Sequence, residues 1–469
     1  MRLTSVEIEN FRAIGELTLP LHDRLNVLVG ENAAGKTSVV EAIAVGLGAI
    51  LEYLPDCKGR GFKGGDMRQD FGFDQASPMK PAMQPGEVPR LVPASPAEDG
   101  EVSPSAYVRV ALQADSGVAW DRIKRRDRTK LTAQLTPRGL GRSELQQYLD
   151  PIIESVRRGG DLDLPIVAYY GTDRAVPDIP QRKRNVRKAL GRFAALDGAL
   201  EAGFRFKDIF DWLVGQEDLE RRGKQEHRDF DYKLPVLEAV RTAIERALPG
   251  CRHPRTSLSP LRLLMDMHTP VGGIETLALD QLSGGYRTML ALVMDLARRM
   301  AQANPHRGRA AIDATGVVLI DEADLHLHPR WQQRVLHDLG AAFPNIQLIV
   351  STHSPQVLTT VRPESIVMLE RTGGTLVAAA ATSSYGAQSG RLLTEILGVD
   401  QRPPEDVVEF TRLLNQYSAL IDAELGEEPE AAALRSRLDA LSPYEPELIR
   451  LDMEIRRRRV LRRAREEQA

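Results

Sequence analysis

Four short stretches carry side chains whose types and spacing suit phosphate chemistry. The first, Gly30-Glu31-Asn32-Ala33-Ala34-Gly35-Lys36-Thr37, fits the pattern G-x-x-x-x-G-K-[ST]. Gly30 and Gly35 let the backbone curl so that successive N–H groups, with the N-terminus of the following helix, point at a β-phosphate. Lys36 is expected to reach the β- and γ-phosphates as a point charge, and the Thr37 hydroxyl to ligate Mg²⁺. Asn32 in the loop and Ser38 just beyond it complete the expected phosphate-binding set.

The second stretch, Val317-Val318-Leu319-Ile320-Asp321-Glu322, is an apolar strand ending in two carboxylates. Asp321 is expected to hold Mg²⁺, often through a water, and Glu322 to orient and deprotonate an attacking water. The third, Leu282-Ser283-Gly284-Gly285, precedes an amphipathic run and sets Ser283, Gly284 and Gly285 at a helix N-terminus, a second anion site. The fourth is another apolar strand, 346–350, running into Ser351-Thr352-His353-Ser354, from which His353 is expected to contact a γ-phosphate and its water. Taken singly, a strand ending in Asp-Glu, a capped helix and a strand-end histidine each have an ordinary structural reading. Here they stand in one order, 38 residues from Ser283 to Asp321 (321 minus 283) and 32 from Asp321 to His353 (353 minus 321). Together they describe one nucleotide-hydrolysing centre, with Lys36, Glu322 and His353 as catalytic residues.

A parallel sheet must hold these residues. The run Leu25-Asn26-Val27-Leu28-Val29 is nearly all apolar, as a central strand covered on both faces is, and leads through the glycine-flanked loop into a helix near 36–48. Residues 2–9 alternate apolar and polar, and extended runs follow at 16–21, 106–113, 165–170, 261–267, 317–320 and 346–351. Residues 185–250 read as helical, with Leu237, Val240, Ile244 and Leu248 on one face and the polar segment 216–231 as an exposed arm or loop. The expected division is 1–54, a first lobe with the phosphate loop; 55–105, a Pro/Gly-rich and partly disordered insertion; and 106–180, the rest of that lobe's sheet. A helical arm at 181–256, the Ser283 helix with the two later strands at 257–400, and a charged helical tail at 401–469 complete it.

Composition narrows the class. With 62 basic and 65 acidic residues the formal charge is -3, so nothing draws the whole chain to nucleic acid and any such contact must be local. The two cysteines, Cys57 and Cys251, lack metal-ligand spacing, which points away from thiol or zinc chemistry and toward a reducing compartment. No apolar run approaches the roughly 18 residues of a membrane span, and the start MRLTSVEIENF lacks a signal peptide's apolar core, so a cytoplasmic protein without membrane contact is expected.

On these motifs the chain resembles the ABC ATPase superfamily. GENAAGKT is similar to its Walker A motif, LSGGYR to its signature, VVLIDEAD to its Walker B and D-loop, and STHS to its switch-histidine loop. The resemblance covers about residues 1–50 and 260–370. It implies a two-lobed α/β head that binds ATP and Mg²⁺ and hydrolyses the ATP. The signature of one subunit then closes on the ATP held by the Walker A of another, which makes a homodimer or a multiple of dimers. For the family's glutamine loop, Gln69 in GGDMRQD is the nearest candidate. The 246 residues from Thr37 to Ser283 (283 minus 37) and the opening ENFRAIGELTL resemble the soluble RecF, SMC and OLD branch. Arg12, after Asn10-Phe11, matches that branch's N-F-R pattern and is either a nucleotide contact or a surface arginine at a strand end.

AYYGTDR (168–174), LSGGYRTMLALVMDLARR, DEADLHLHPRWQQRVLHDL and ILGVDQRP (396–403) extend the resemblance to the Septu and retron-associated antiphage ATPases. It implies an ATPase that serves antiviral defence as sensor and scaffold, with a separate HNH-type nuclease as partner. OLD proteins carry a Toprim nuclease after the ATPase. Here 116 residues follow His353 (469 minus 353) without a strand-borne acidic cluster, so no nuclease is expected in this chain. The competing reading is a DNA-repair or chromosome-maintenance ATPase that binds DNA itself, as RecF does, and a third is a nucleotide-gated scaffold with negligible turnover. The basic runs 122–130, 182–188 and Arg456 to Arg459 with Arg462 and Arg463 are either contacts for DNA or RNA or solvated faces. For the tail, the acidic stretch 405–430 is an alternative internal partner, and Leu448, Leu451, Ile455 and Val460 offer a docking face for another protein. Asp324 and His326 are expected to contact the partner subunit, and His326 and His328 to sit in the D-loop rather than on a metal. Trp212, with Phe206, Ile209, Phe210 and Leu213, reads as packing.

Overall fold

The computed structural model describes residues 1–70, 103–173, 191–203, 206–258, 261–268, 272–372, 375–400 and 402–466. The basic run 182–188 and the 71–102 part of the Pro/Gly-rich insertion lie outside the described residues. The chain divides into two units, Met1–Leu392 and Leu393–Ala469.

In the first unit the apolar runs assemble a six-stranded sheet. Its order is Thr375–Ala380, Ile366–Thr372, Leu25–Val29, Ile346–Ser351, Gly316–Ile320, Ile166–Tyr170. The first pair is an antiparallel hairpin and every other pairing is parallel. Three of these strands, Ile346–Ser351, Gly316–Ile320 and Ile166–Tyr170, are buried at every position, as a sheet covered on both faces requires. The strands that precede the phosphate loop, the switch histidine and the Asp-Glu pair are neighbours, with Ile346–Ser351 in the middle. Their C-terminal loops therefore open on the same end of the sheet, where parallel sheets bind ligands.

The helix Lys36–Tyr53 is apolar almost all round because it is sandwiched. It packs on the parallel sheet and on a second, antiparallel sheet ordered Ile14–Pro20, Leu3–Phe11, Tyr107–Ala114, Ala119–Arg125. Gln347, fully buried in the middle strand, ties the two sheets. Its amide accepts from the Leu3 N–H at 2.7 Å and donates to the carbonyls of Leu3 at 2.7 Å and His22 at 2.8 Å. The basic run at 122–130 begins on the edge strand Ala119–Arg125. There Arg122 pairs with Glu52 at 2.6 Å and donates to the Arg60 carbonyl at 3.1 Å.

The helix Gly284–Ala303 packs against Pro235–Ala247 and Phe206–Glu226, and a three-stranded sheet, Ile274–Ala278, Leu261–His268 and Cys251–Leu258, completes this helical lobe. Leu237, Val240, Ile244 and Leu248 are all buried, and Ile209, Phe210, Trp212 and Leu213 pack in the core. The exposed arm expected at 216–231 is corrected in its first part, where the helix Phe206–Glu226 buries Gln216, Glu217 and Glu220, while 225–231 is exposed. Hydrogen bonding explains how polar residues go inside. Glu217 accepts from Thr256, and Glu220 accepts from the Leu234 N–H at 2.9 Å and pairs with Arg241 at 3.0 Å. Asp295, on the Gly284–Ala303 helix, is buried between Arg298 at 2.8 Å and Arg299 at 2.7 Å, and accepts from the Tyr170 hydroxyl at 3.1 Å. Burial pushes its carboxyl up, but Arg299 and Arg298 outweigh burial and hold it at about 2. This unit is thus a two-lobed α/β head, with the phosphate loop on the sheet lobe and Ser283 at the start of a helix in the helical lobe.

The second unit holds three helices, Glu409–Asp422, Pro429–Leu441 and Pro446–Glu466, around Leu413, Leu414, Tyr417, Ile421, Leu438, Leu448 and Leu451. The tail's docking face is therefore corrected. Leu448 and Leu451 belong to this core with Ile455 packed on it, while Val460 alone of the four is solvent-exposed, at 65%. The acidic stretch does serve as an internal partner, Arg458 reaching Asp422 at 3.4 Å and Arg459 pairing with Glu427. Among the described residues no helix is long and apolar enough to cross a membrane.

Candidate nucleotide site

The phosphate loop turns where glycine permits it. Gly30 has φ +149°, and a Cβ there would stand 2.4 Å from the Leu369 carbonyl oxygen, while Gly35 sits at φ +95°. Gly35 caps the helix Lys36–Tyr53 without any side-chain hydrogen bond, and the first turn holds no acid. The N-terminal amides at Lys36, Thr37 and Ser38 thus keep their donor capacity and the positive helix end is not neutralised by an acid of its own first turn. Asn32 stands exposed on the loop.

Lys36 is buried at 5% exposure, and its ammonium donates to the carbonyls of Gly30 and Glu31, both at 2.8 Å. Burial lowers its pKa, against the opposing pull of Asp321, Glu322 and Asp324. The Thr37 hydroxyl donates to Asp321 Oδ1 at 3.2 Å. Ser351, at the end of the middle strand, donates its hydroxyl to the same Asp321 oxygen at 2.5 Å and accepts from the Glu322 N–H at 2.8 Å. Glu322 takes a left-handed backbone, φ +50°, which for a non-glycine residue costs roughly 1–3 kcal/mol and is sustained here by that N–H bond and by the Leu325 N–H on its carbonyl at 2.9 Å. His353 is pushed down from its ordinary pKa by burial and then by the Lys36 charge. A cation, a hydroxyl, two carboxylates and an imidazole thus surround one loop, a donor set suited to a triphosphate with a hard cation.

The third motif lies in a groove of about 690 Å³ lined by Ser283, Gly284, Gly285, Tyr286, His326 and Trp331 among others, and by no residue of the phosphate loop. Ser283 caps the helix Gly284–Ala303. Gly285 is required there, since a Cβ would approach the His326 carbonyl oxygen to 2.9 Å. Tyr286 and Trp331 meet edge to face at 4.4 Å. His328 caps the short helix Pro329–Gln332, accepting from the Arg330 N–H at 3.3 Å.

The Asp324 carboxylate bonds within its own chain, accepting from the Thr352 hydroxyl at 2.5 Å and the His353 N–H at 3.4 Å. Arg12 is more than a surface arginine, for it pairs with Glu41 and, at 3.0 Å, with Asp66. It lines a groove of about 450 Å³ with Gln69, Arg68 and Arg371. Sequence reasoning missed Gln332, which links the D-loop to Ser354, and Glu41, which holds Arg12 and Arg60. The only sequence signal for Glu41 is an acid within the otherwise apolar run 39–51.

A sequence model of the AAA domain matches residues 5–245, just over half of the chain, and a second AAA-domain model, whose description adds the AbiEii toxin of a type IV TA system, matches 196–359. The chain is similar to the Retron Ec83 probable ATPase of Escherichia coli, 39% identical over 224 residues, which is 48% of this chain and 39% of that protein. It is similar to the Retron Vc95 probable ATPase of Vibrio cholerae, 22% identical over 469 aligned residues, 90% of this chain and 84% of that one. Septu protein PtuA of Bacillus mycoides is 32% identical over 171 residues, 36% of this chain and 23% of that one. The chain thus spans well under half of the Ec83 and PtuA relatives. Among solved structures, an SMC head domain from Thermotoga maritima aligns with a TM-score of 0.39 at 13% identity, over 82% of this chain and 100% of that one.

Proposed function

This chain belongs to the AAA-domain family, and from that premise we propose that it binds and hydrolyses ATP between two copies of its head. We propose further that it is the ATPase subunit of an antiphage complex of retron or Septu type, controlling a separate HNH-type nuclease. One observation carries the ATPase reading: Lys36, Thr37, Asp321, Glu322 and His353 converge at one end of the parallel sheet. The likeness to the retron and Septu proteins supports the antiphage assignment.

In this reading Lys36 exchanges the carbonyls of Gly30 and Glu31 for phosphate oxygens, so no new desolvation is needed when ATP arrives. Thr37 and Asp321 fit Mg²⁺, because a hydroxyl and a carboxylate already lie 3.2 Å apart facing the loop. Bound there, the ion neutralises phosphate charge. Glu322 takes the proton of the attacking water, and His353, neutral at physiological pH by virtue of its lowered pKa, hydrogen-bonds the γ-phosphate and that water. The groove at Ser283 shares no lining with the phosphate loop, which supports its closing on the nucleotide of a second copy.

Glu322→Gln tests the proposal. Turnover should fall about 10²–10⁴-fold while ATP affinity stays, and the variant should accumulate as an ATP-dependent dimer on size-exclusion chromatography. Wild-type turnover no faster than this variant's would leave only a nucleotide-gated scaffold. Tight, salt-sensitive duplex-DNA binding by the chain alone would favour the RecF-like reading.

A further inference from the structure

The switch-histidine loop and the groove at Ser283 are joined through the D-loop by a chain of bonds that the ATPase reading does not use. Gln332 stands at its centre. Its amide nitrogen donates to the Leu327 carbonyl at 3.0 Å and, more weakly, to the Asp324 carbonyl at 3.4 Å, and its amide oxygen accepts from the Ser354 hydroxyl at 2.8 Å. Ser354 is next to His353 and is itself buried, its hydroxyl also accepting from the Gln356 and Val357 N–H groups. Alongside, the Asp324 carboxylate holds Thr352 and the His353 N–H. The D-loop is thus bonded to both neighbours of His353. At its far end the same segment forms the groove, with the His326 carbonyl against Gly285 and Trp331 against Tyr286.

We propose that Gln332 is a positioning residue that couples the two faces of the head. It locks the loop carrying His353, which faces the chain's own nucleotide, to the segment that shapes the groove for a second copy's nucleotide. The side chain suits this task because an amide donates and accepts at once, so one planar group fixes two backbone carbonyls and a hydroxyl. A shift of His353 toward a γ-phosphate cannot leave the D-loop behind without breaking those bonds in a partly buried site, where unmade bonds are expensive. Filling of one site therefore presets the other, which is a coupling between two distinct sites. The proposal rests on the reading of the chain as an ATPase whose signature closes on a second copy's nucleotide.

The test is steady-state ATP hydrolysis by the purified full chain and by Gln332→Ala and Gln332→Met, the latter keeping the length of the side chain. Wild-type rate should rise sigmoidally with ATP concentration. Both variants should show hyperbolic dependence, with kcat lowered about tenfold and KM changed less than about twofold. A merely structural glutamine would lower the thermal midpoint and leave the curve's shape intact. In a Ser354→Ala background, which removes the shared bond, the Gln332 substitutions should cost little more. A folded Gln332→Met variant with wild-type kcat and sigmoidal dependence overturns the proposal, as does a hyperbolic wild type. Either result leaves the ATPase reading standing as long as Glu322→Gln still abolishes turnover.

Discussion

The hydroxyl of Thr37 and the carboxylate of Asp321 lie 3.2 Å apart although 284 residues separate them in the chain. Ser351 fixes the geometry from the other side, its hydroxyl bonded to the same Asp321 oxygen at 2.5 Å and to the Glu322 N–H. The oxygen pair that suits a divalent cation is therefore assembled from a helix N-terminus and a strand end and aimed by a second strand end.

Asp321→Asn keeps the shape and removes the charge. Turnover should drop at least about 10²-fold, and ATP binding should lose its dependence on added Mg²⁺. Calorimetric titration of ATP with Mg²⁺ and with EDTA checks this. Equal enhancement by Mg²⁺ in wild type and variant would remove Asp321 from the cation site.

His353 gives a signed pH dependence. Its folded-state pKa lies below the ordinary 6.5, chiefly through burial and next through Lys36. Between those two values the unfolded chain binds more protons than the folded one, so stability rises with pH there. The contribution is complete above about 6.5 and is lost as pH falls below it. Thermal midpoints measured from pH 7 downward should decline, and His353→Gln should decline less. Parallel curves for the two proteins would show that the histidine titrates normally.

The buried Asp295 cluster predicts a stability effect away from the chemistry. Asp295→Asn leaves Arg298 and Arg299 in the core without their counter-charge. Removing one partner of a buried ion pair costs about 3–5 kcal/mol, to be read from urea unfolding. A loss under about 1 kcal/mol, within the range of an exposed pair, would mean that water reaches the cluster.

The candidate site was legible because the chemistry it suits demands local spacing. Gly30, Gly35, Lys36 and Thr37 must stand within one turn, and each remaining motif closes a strand or opens a helix. The parallel strands were legible for a related reason, since burial on both faces leaves an unbroken apolar run such as 316–320. What was hidden depends on partners far along the chain. Glu217 and Glu220 read as solvent-seeking until Thr256 and Arg241 are seen beside them. The edge strand Ala119–Arg125 is masked by its own arginines, and the hairpin Ile366–Thr372 with Thr375–Ala380 by its exposed edge. Gln332 carries no type-specific chemistry, so only its contacts reveal it.

The Gln347 amide, which stitches Leu3 and His22 to the middle strand across more than 300 residues, bears on how the protein is made. The first strands leave the ribosome long before the strand that must insert beside Leu25–Val29. Throughout that interval their apolar faces lack a cover, and the slow closure of so distant a pairing is the stage most exposed to aggregation. Nascent chains stalled short of residue 347 should accordingly be unable to complete the sheet that carries the phosphate loop.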